Sequence, residues 1–307
     1  MRLTRITPPD FDFGMAVQSH GFFALAPNHW DPSSRRLRTT VHTSAGPLHV
    51  CVRHCRAGAK GRLHIDVLGL AALSAEVRTT VRTAVGRVLR LDENLGDFHR
   101  LCSREPALQA AVERRFGRLI RSQSLFEDLV KTMCTCNITW RQTVAMVRRL
   151  VEACGTPALN QPAERAFPTP VQLASVPAAD LRTRCGLGYR ADWVCELAGQ
   201  VAAGRRNLDT LESPNLPTDE LYRQLRTVRG IGDYAASSLC VLLGRYDRPA
   251  VDTEMIQHYR RRFPRRTATP ANIRKHYARY APYSALVYWW ELWSHYAGTD
   301  GHPDSWA

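Results

Sequence analysis

The apolar period of the chain changes at Ser74, and that change limits the folds open to it. Before this point apolar residues alternate. Leu63, Ile65 and Val67 take every second position in GRLHIDVLGL. The run LRTTVHTSAGPLHVCVRH sets β-branched residues on either side of an Ala-Gly-Pro turn. Both are strand patterns, and the second is a hairpin. After it, Val77, Val81, Val85 and Val88 recur at helical spacing, with Ser74 placed to cap the first turn. Nearly everything downstream keeps that period. SLFEDLVKTMCTCN and WRQTVAMVRRLVEAC read as helices, the second ending at Gly155, and TPALNQPAERAFPTP as a proline-rich connector. Further helices are expected over 170–181 and 190–203, and another after Pro217 with Thr218 as its cap. No internal repeat is visible. The fold class is therefore α+β. An antiparallel sheet lobe spans 1–75 with one face covered, and a mostly helical two-lobed body follows, 119–252 forming one lobe and 76–118 with 253–307 the other.

A chain of 307 residues suffices for two or three compact lobes. Its 42 basic and 28 acidic residues leave a formal charge of +14, which suits a polyanionic partner. Only three of the basic residues are lysines: Lys60, Lys131 and Lys275. The apolar runs fall short of a membrane span, and the start MRLTRITPPDFDFG lacks the apolar core of a secretory signal. A soluble, cytoplasmic, non-membrane chain is expected. The nine cysteines include no paired CxxC motifs, so no zinc site is expected. None follows Cys240, which excludes a C-terminal four-cysteine iron–sulfur cluster. They read as reduced, mostly buried thiols.

The densest stretch is VRGIGDYAASSLCVLLGRYDRPAVDTEM, from Val228 to Met255. The amphipathic helix before it turns Leu221, Leu225 and Val228 inward and is expected to end at Arg229. Gly230-Ile231-Gly232 forms a turn that glycine fits most easily. A second helix follows, with Ala235, Leu239 and Leu242 on one face and Gly244 capping its end. The amides at the start of that second helix make an anion site by geometry and dipole. The same glycines also serve an ordinary helix–turn–helix corner. Asp252, just beyond, reads either as the N-cap of the helix TEMIQHYRRRF or as an acid kept for chemistry beside a phosphate-binding turn.

These residues resemble the helix–hairpin–helix (HhH-GPD) superfamily of DNA glycosylases, with the motif over about 218–244. VRGIG…AVDTEM follows its glycine hairpin and essential aspartate, Arg229 replacing the usual proline. CGLGYRADWV (185–194), MCTCNITWRQTVAMVRRL (133–150), YAPYSALVYWW (280–290) and AVQSHGFFAL (16–25) extend the resemblance, to 8-oxoguanine DNA glycosylases and 3-methyladenine DNA glycosylase II. It implies a monomeric enzyme that flips a damaged base out of double-stranded DNA and cuts its N-glycosidic bond. By that resemblance Asp252 stabilises the oxocarbenium character of the sugar and activates water. Tyr189 is the wedge, Arg190 reads the widowed base, Asn137 fills the gap, and Thr253 touches DNA. The amides of Gly230 and Gly232 grip a phosphate. The Val228 carbonyl is a ligand for a monovalent cation, sodium or potassium, and no other cofactor is required. Gln18, Ser19, Tyr234, Ser238, Tyr288 and Trp289 line the base pocket.

One departure is informative. Members that also cut the strand carry a lysine two residues after the second hairpin glycine; here it is Tyr234, 18 residues before Asp252. Tyrosine forms no Schiff base, so a monofunctional enzyme using water is expected. Tyr288, Trp289 and Trp290 stand where the oxoguanine enzymes carry a glutamine and a phenylalanine. An aromatic pocket suits a cationic alkylated purine such as 3-methyladenine. GLGYRA supports 8-oxoguanine as the alternative. A non-catalytic helix–hairpin–helix DNA-binding protein is the competing class, and Asp252 with Tyr189-Arg190 argues against it.

Overall fold

A computed structural model describes residues 1–57 and 60–298. In chain order its elements are β1 (Arg2–Ile6), α1 (Phe13–Gln18), β2 (His29–Asp31), β3 (Arg36–Val41), β4 (Leu48–Ala57), β5 (Lys60–Asp66) and α2 (Ala75–Val88). There follow α3 (Gly96–Ser103), α4 (Gln109–Glu113), α5 (Leu125–Thr135), α6 (Trp140–Cys154), α7 (Pro170–Ala174), α8 (Ala178–Arg184) and α9 (Arg190–Ala202). The last are α10 (Thr218–Arg226), α11 (Asp233–Leu242), α12 (Thr253–Arg262), α13 (Pro270–Tyr277) and α14 (Ser284–Gly298). The α+β expectation holds.

The sheet is antiparallel, in the order β1-β5-β4-β3-β2. Its register explains the alternation in the sequence. Leu3, Ile65, Val52, Leu37 and Trp30 pair across all five strands in one row, and every one is buried. Each such side chain contributes about 2 kcal/mol by leaving water. The adjacent row, Arg2, Asp66, Cys51, Arg38 and His29, is on the opposite face. There Arg2 pairs with Asp66 at 2.6 Å. Gly46 closes the β3–β4 connection at φ +115°, a conformation that leaves little choice but glycine.

Ser74 caps α2 by accepting from the Val77 amide, and α6 stops at Gly155. Four expectations shift. Residues 1–75 are not all strand, because Asp12 caps α1 and Phe13, Ala16 and Val17 bury one of its faces. The helix expected over 170–181 is two, since Pro177 disfavours helix at the residue before it. Thr218 lies inside α10 and donates to Asp247; Pro217 occupies the cap position. And α10 ends at Arg226, three residues early, because Val228 and Ile231 already bond in the turn.

Among the described residues two compact units form, 1–93 with 118–207, and 94–117 with 208–298. The sheet shares a unit with α5–α9, and the α10–α11 hairpin shares one with α3, α4 and α12–α14. These boundaries differ from the three segments set out from the sequence. In the first unit Lys131 and Glu127 form an ion pair at 2.7 Å, both side chains almost wholly buried. Arg118 is also buried there, bidentate to Asp10 and donating to the carbonyls of Arg90 and Glu93. Among the described residues no helix is long and apolar enough to cross a membrane.

Candidate active site

The hairpin is built by the end of α10 and the start of α11. Leu221, Leu225, Val228 and Ile231 bury its underside. The Ile231 amide bonds the Val228 carbonyl at 3.0 Å, and Gly230 takes φ +87°, which an L side chain rarely adopts. Gly232 needs no such freedom, with φ −81°. A methyl group built on it would meet no atom beyond its chain neighbours within 4 Å. Its exposed backbone therefore borders open space at the N-terminus of α11.

Asp233, the first residue of α11, anchors this turn. It accepts from the Tyr222 hydroxyl and from Arg274, both at 2.6 Å, with Arg248 at 3.6 Å. Burial pushes its carboxyl up, but the Tyr222 and Arg274 hydrogen bonds and the Arg274 and Arg248 charges hold it below its ordinary value. Arg248 also stacks on Tyr222, 3.7 Å from the ring centroid. None of these residues stood out in the sequence. The only hint was an acid directly after Gly232.

Asp252 is the N-cap of α12 and accepts from the Met255 amide at 2.7 Å. Burial and then the nearby Glu254 charge raise its carboxyl, while the amides of Met255 and Glu254 pull it down; the net shift is upward. Glu254, missed in the sequence because an acid in a helix's first turn is ordinary, accepts from Tyr296 at 2.5 Å and Arg261 at 3.2 Å. Tyr288 on α14 is buried, and its phenol is pushed well above its usual range by burial, then by Asp252 and Glu254, then by Tyr277 and Tyr234. Asp252, Glu254, Tyr288 and Tyr234 thus share one neighbourhood of the second unit. Trp289 is half-buried with its ring 5.9 Å from Tyr288, and Ser238 is half-buried on α11. Thr253 is exposed at the first position of α12. Trp290 belongs to the core, stacked on Trp293 and edge-on to Phe116.

The remaining residues lie in the first unit. Asn137 is exposed at φ +51°, and its side-chain amide lies 3.5 Å from the Tyr189 hydroxyl. Tyr189 is 47% exposed. Arg190 is buried and donates to the Cys136 carbonyl, and its Nε has no hydrogen-bond partner among the described residues. Ser19 is a structural tie rather than a pocket wall, wholly buried with its hydroxyl on the carbonyls of Ala16 and Arg118. Gln18, half-buried, ends α1. Among the described residues no group of His, Cys, Asp and Glu could hold a metal ion.

The sequence profile of the HhH-GPD superfamily of base excision DNA repair proteins matches residues 130–282, the stretch that carries Asn137, Tyr189, the hairpin and Asp252. The chain belongs to the HhH-GPD superfamily. This HhH-GPD protein matches no curated protein by sequence. Solved structures share its fold over nearly its full length. MBOgg1 in complex with a low-affinity DNA ligand is 19% identical, with a TM-score of 0.76 over 97% of this chain and 96% of that one. The 3-methyladenine DNA-glycosylase of Archaeoglobus fulgidus is 17% identical, with a TM-score of 0.74 over 97% and 99%. The Clostridium acetobutylicum 8-oxoguanine glycosylase/lyase, in complex with double-stranded DNA containing cytosine opposite 8-oxoG, is 16% identical, with a TM-score of 0.73 over 97% and 98%. As an HhH-GPD glycosylase of base excision repair, the chain has its candidate chemistry at Asp252.

Proposed function

We propose that this HhH-GPD protein is a monofunctional DNA glycosylase that binds damaged double-stranded DNA, rotates the damaged base out of the stack and hydrolyses its N-glycosidic bond with water. The observation that carries the reading is Asp252, a partly buried carboxylate fixed by its own helix cap. Departure of the base leaves positive charge on the sugar, and a fixed carboxylate in a water-poor site stabilises that charge and polarises a water. Flipping costs a few kcal/mol of lost stacking, which a side chain entering the vacancy offsets. Tyr189 and Asn137 are exposed and adjacent, as a wedge and a filler need. Arg190, its guanidinium against the Tyr189 ring and on the Cys136 carbonyl, would hold the wedge and the filler for that entry. The open backbone at Gly232 lets a phosphate approach the α11 N-terminus. The Val228 carbonyl has two lone pairs, and one suffices for a monovalent cation.

Water is the nucleophile because Tyr234 holds the position at which strand-cutting members carry lysine. Lys131 is sealed against Glu127. The substrate is an alkylated purine such as 3-methyladenine. Two carboxylates, Asp252 and Glu254, near Tyr288 and Trp289 favour a cationic base over a neutral one. The segment Gly186-Leu187-Gly188-Tyr189-Arg190-Ala191 favours 8-oxoguanine as the second reading. The test is a panel of duplexes, each with one defined lesion, assayed for base release with and without alkali. Release of an alkylated purine with the strand intact until alkali is added supports the proposal. Strand cutting in step with release overturns water as nucleophile, and no release from any lesion overturns the activity.

A further inference from the structure

The face of the sheet turned away from its buried row is basic. Same-face positions along β1, β5, β4 and β3 carry Arg2, Arg62, Arg53, Arg36 and Arg38, with His64 registered beside Arg53. Arg2, Arg36 and Arg62 are exposed, and Arg38, Arg53 and His64 are half-buried. Two carboxylates share the face. Asp66 pairs with Arg2 at 2.6 Å and with Arg53 at 3.5 Å. Asp31 is occupied by its own turn, accepting from the hydroxyls of Ser33 and Ser34, both at 2.6 Å. Among the described residues no carboxylate pairs with Arg36, Arg38 or Arg62. The His64 imidazole registers the resulting field. Burial and then the charges of Arg53, Arg2 and Arg62 push it below its usual value, against Asp66. None of these residues has a part in base excision as set out above.

We propose that the open face of this sheet is a further DNA-binding surface, which holds the sugar–phosphate backbone of double-stranded DNA without reading base or lesion. Charge complementarity argues for that occupant. Neighbouring strands lie about 4.8 Å apart, so the guanidiniums from β1 to β3 span about 14 Å. Duplex DNA presents about eight negative charges over that length of its axis. Every cation in the set is arginine, whose planar fork matches two phosphate oxygens at once. An acidic protein would also need apolar surface to bury. On this face the apolar side chain is Ile6 at the edge strand, beside Thr4, Cys51 and Cys55. A phosphate backbone needs charge alone.

Contacts of this kind are made equally to damaged and undamaged duplex. They keep the protein on DNA between lesions and add affinity that falls steeply with salt. They are the same before and during bond cleavage, so they leave the rate of the bound complex alone. The proposal rests on duplex DNA as the partner and not on the chemistry assigned to Asp252.

The test combines Arg36→Gln, Arg38→Gln and Arg62→Gln in the full chain and follows binding of an undamaged duplex by fluorescence anisotropy from 50 to 200 mM salt. Each lost phosphate contact lowers the slope of log affinity against log salt by about 0.9. Three lost contacts should shrink the wild-type advantage about 40-fold across that range. Arg36→Lys, Arg38→Lys and Arg62→Lys together should keep most of the wild-type slope. Undamaged duplex should also slow alkylation of Cys51 in the wild-type protein, since this half-buried thiol lies on the same face. An unchanged slope in the glutamine variant, or Cys51 alkylated as fast with DNA as without it, would overturn the proposal. With protein in excess over a lesion duplex, the glutamine variant should release the base at the wild-type rate, and a tenfold loss there would overturn the separation of this face from the chemistry. A wild-type protein that releases no base from any lesion counts against the glycosylase reading and leaves the salt slope and the Cys51 protection to decide this surface.

Discussion

The guanidinium of Arg190 lies on the face of the Tyr189 ring, 4.5 Å from its centroid, and donates to the carbonyl of Cys136, the residue before Asn137. One buried cation therefore holds the two side chains assigned to the vacated base stack. Arg190→Ala should lower thermal stability by about 1–3 kcal/mol, from the lost charge-assisted bond and the ring contact. It should also slow excision from duplex more than excision of an unpaired lesion. Arg190→Lys should recover part of the stability, keeping the charge without the planar fork. Differential scanning calorimetry with parallel excision assays reads both effects.

Tyr189→Ala should leave stability nearly unchanged, because the ring is about half exposed. For Asn137 the informative change is to glycine, which accepts φ +51° without strain and removes only the filler. Both variants should slow release from duplex and spare release from an unpaired lesion. Equal slowing on the two substrates would contradict the wedge and filler roles.

Asp252 is active as the carboxylate, and burial with the Glu254 charge raises its proton affinity. Activity should therefore be present at neutral pH and fall, on acidification, through a value above the usual 4 or so for an aspartate. Glu254→Gln removes a negative neighbour, which lowers the Asp252 value and moves the acid limb to lower pH. A pH–rate profile of base release in the two proteins checks the sign. An acid limb that moves up in Glu254→Gln would contradict it.

Gly232→Ala probes the hairpin. The added methyl meets no atom beyond its chain neighbours and the backbone angle suits alanine, so folding stability should hold or rise slightly. A phosphate at the α11 N-terminus would meet that methyl, and DNA affinity should fall by about tenfold, or 1.4 kcal/mol. Fluorescence anisotropy with an undamaged duplex gives the number. Unchanged affinity would place the phosphate elsewhere.

Legibility in the sequence followed the range of the forces involved. The sheet row from Leu3 to Trp30 was readable because strand burial repeats every second residue. The α2 cap was readable because Ser74 acts on an amide three residues away. Helix α1 was hidden by its six-residue length. Thr218 has the chemistry of a cap, yet Asp247 draws its hydroxyl from 29 residues away. The site divides in the same manner. Asp252, the hairpin glycines and Tyr189 carry local motifs. The burial of Arg190 depends on a carbonyl 54 residues away. Asp233 is held by Arg274, 41 residues on. Contacts at such separations leave no periodic trace in the chain.

The most direct measurement is single-turnover base release by wild type and Asp252→Asn from a duplex carrying one alkylated purine, with binding measured alongside. Asparagine caps a helix as well as aspartate does, so α12 should stay folded. It lacks the charge, so the rate should drop by about 10²–10³ or more. Affinity for the same duplex should stay within about tenfold, since the lost interaction belongs to the transition state. Wild-type turnover by Asp252→Asn, in a protein that binds and unfolds as wild type does, would contradict the assignment of Asp252 as the catalytic carboxylate.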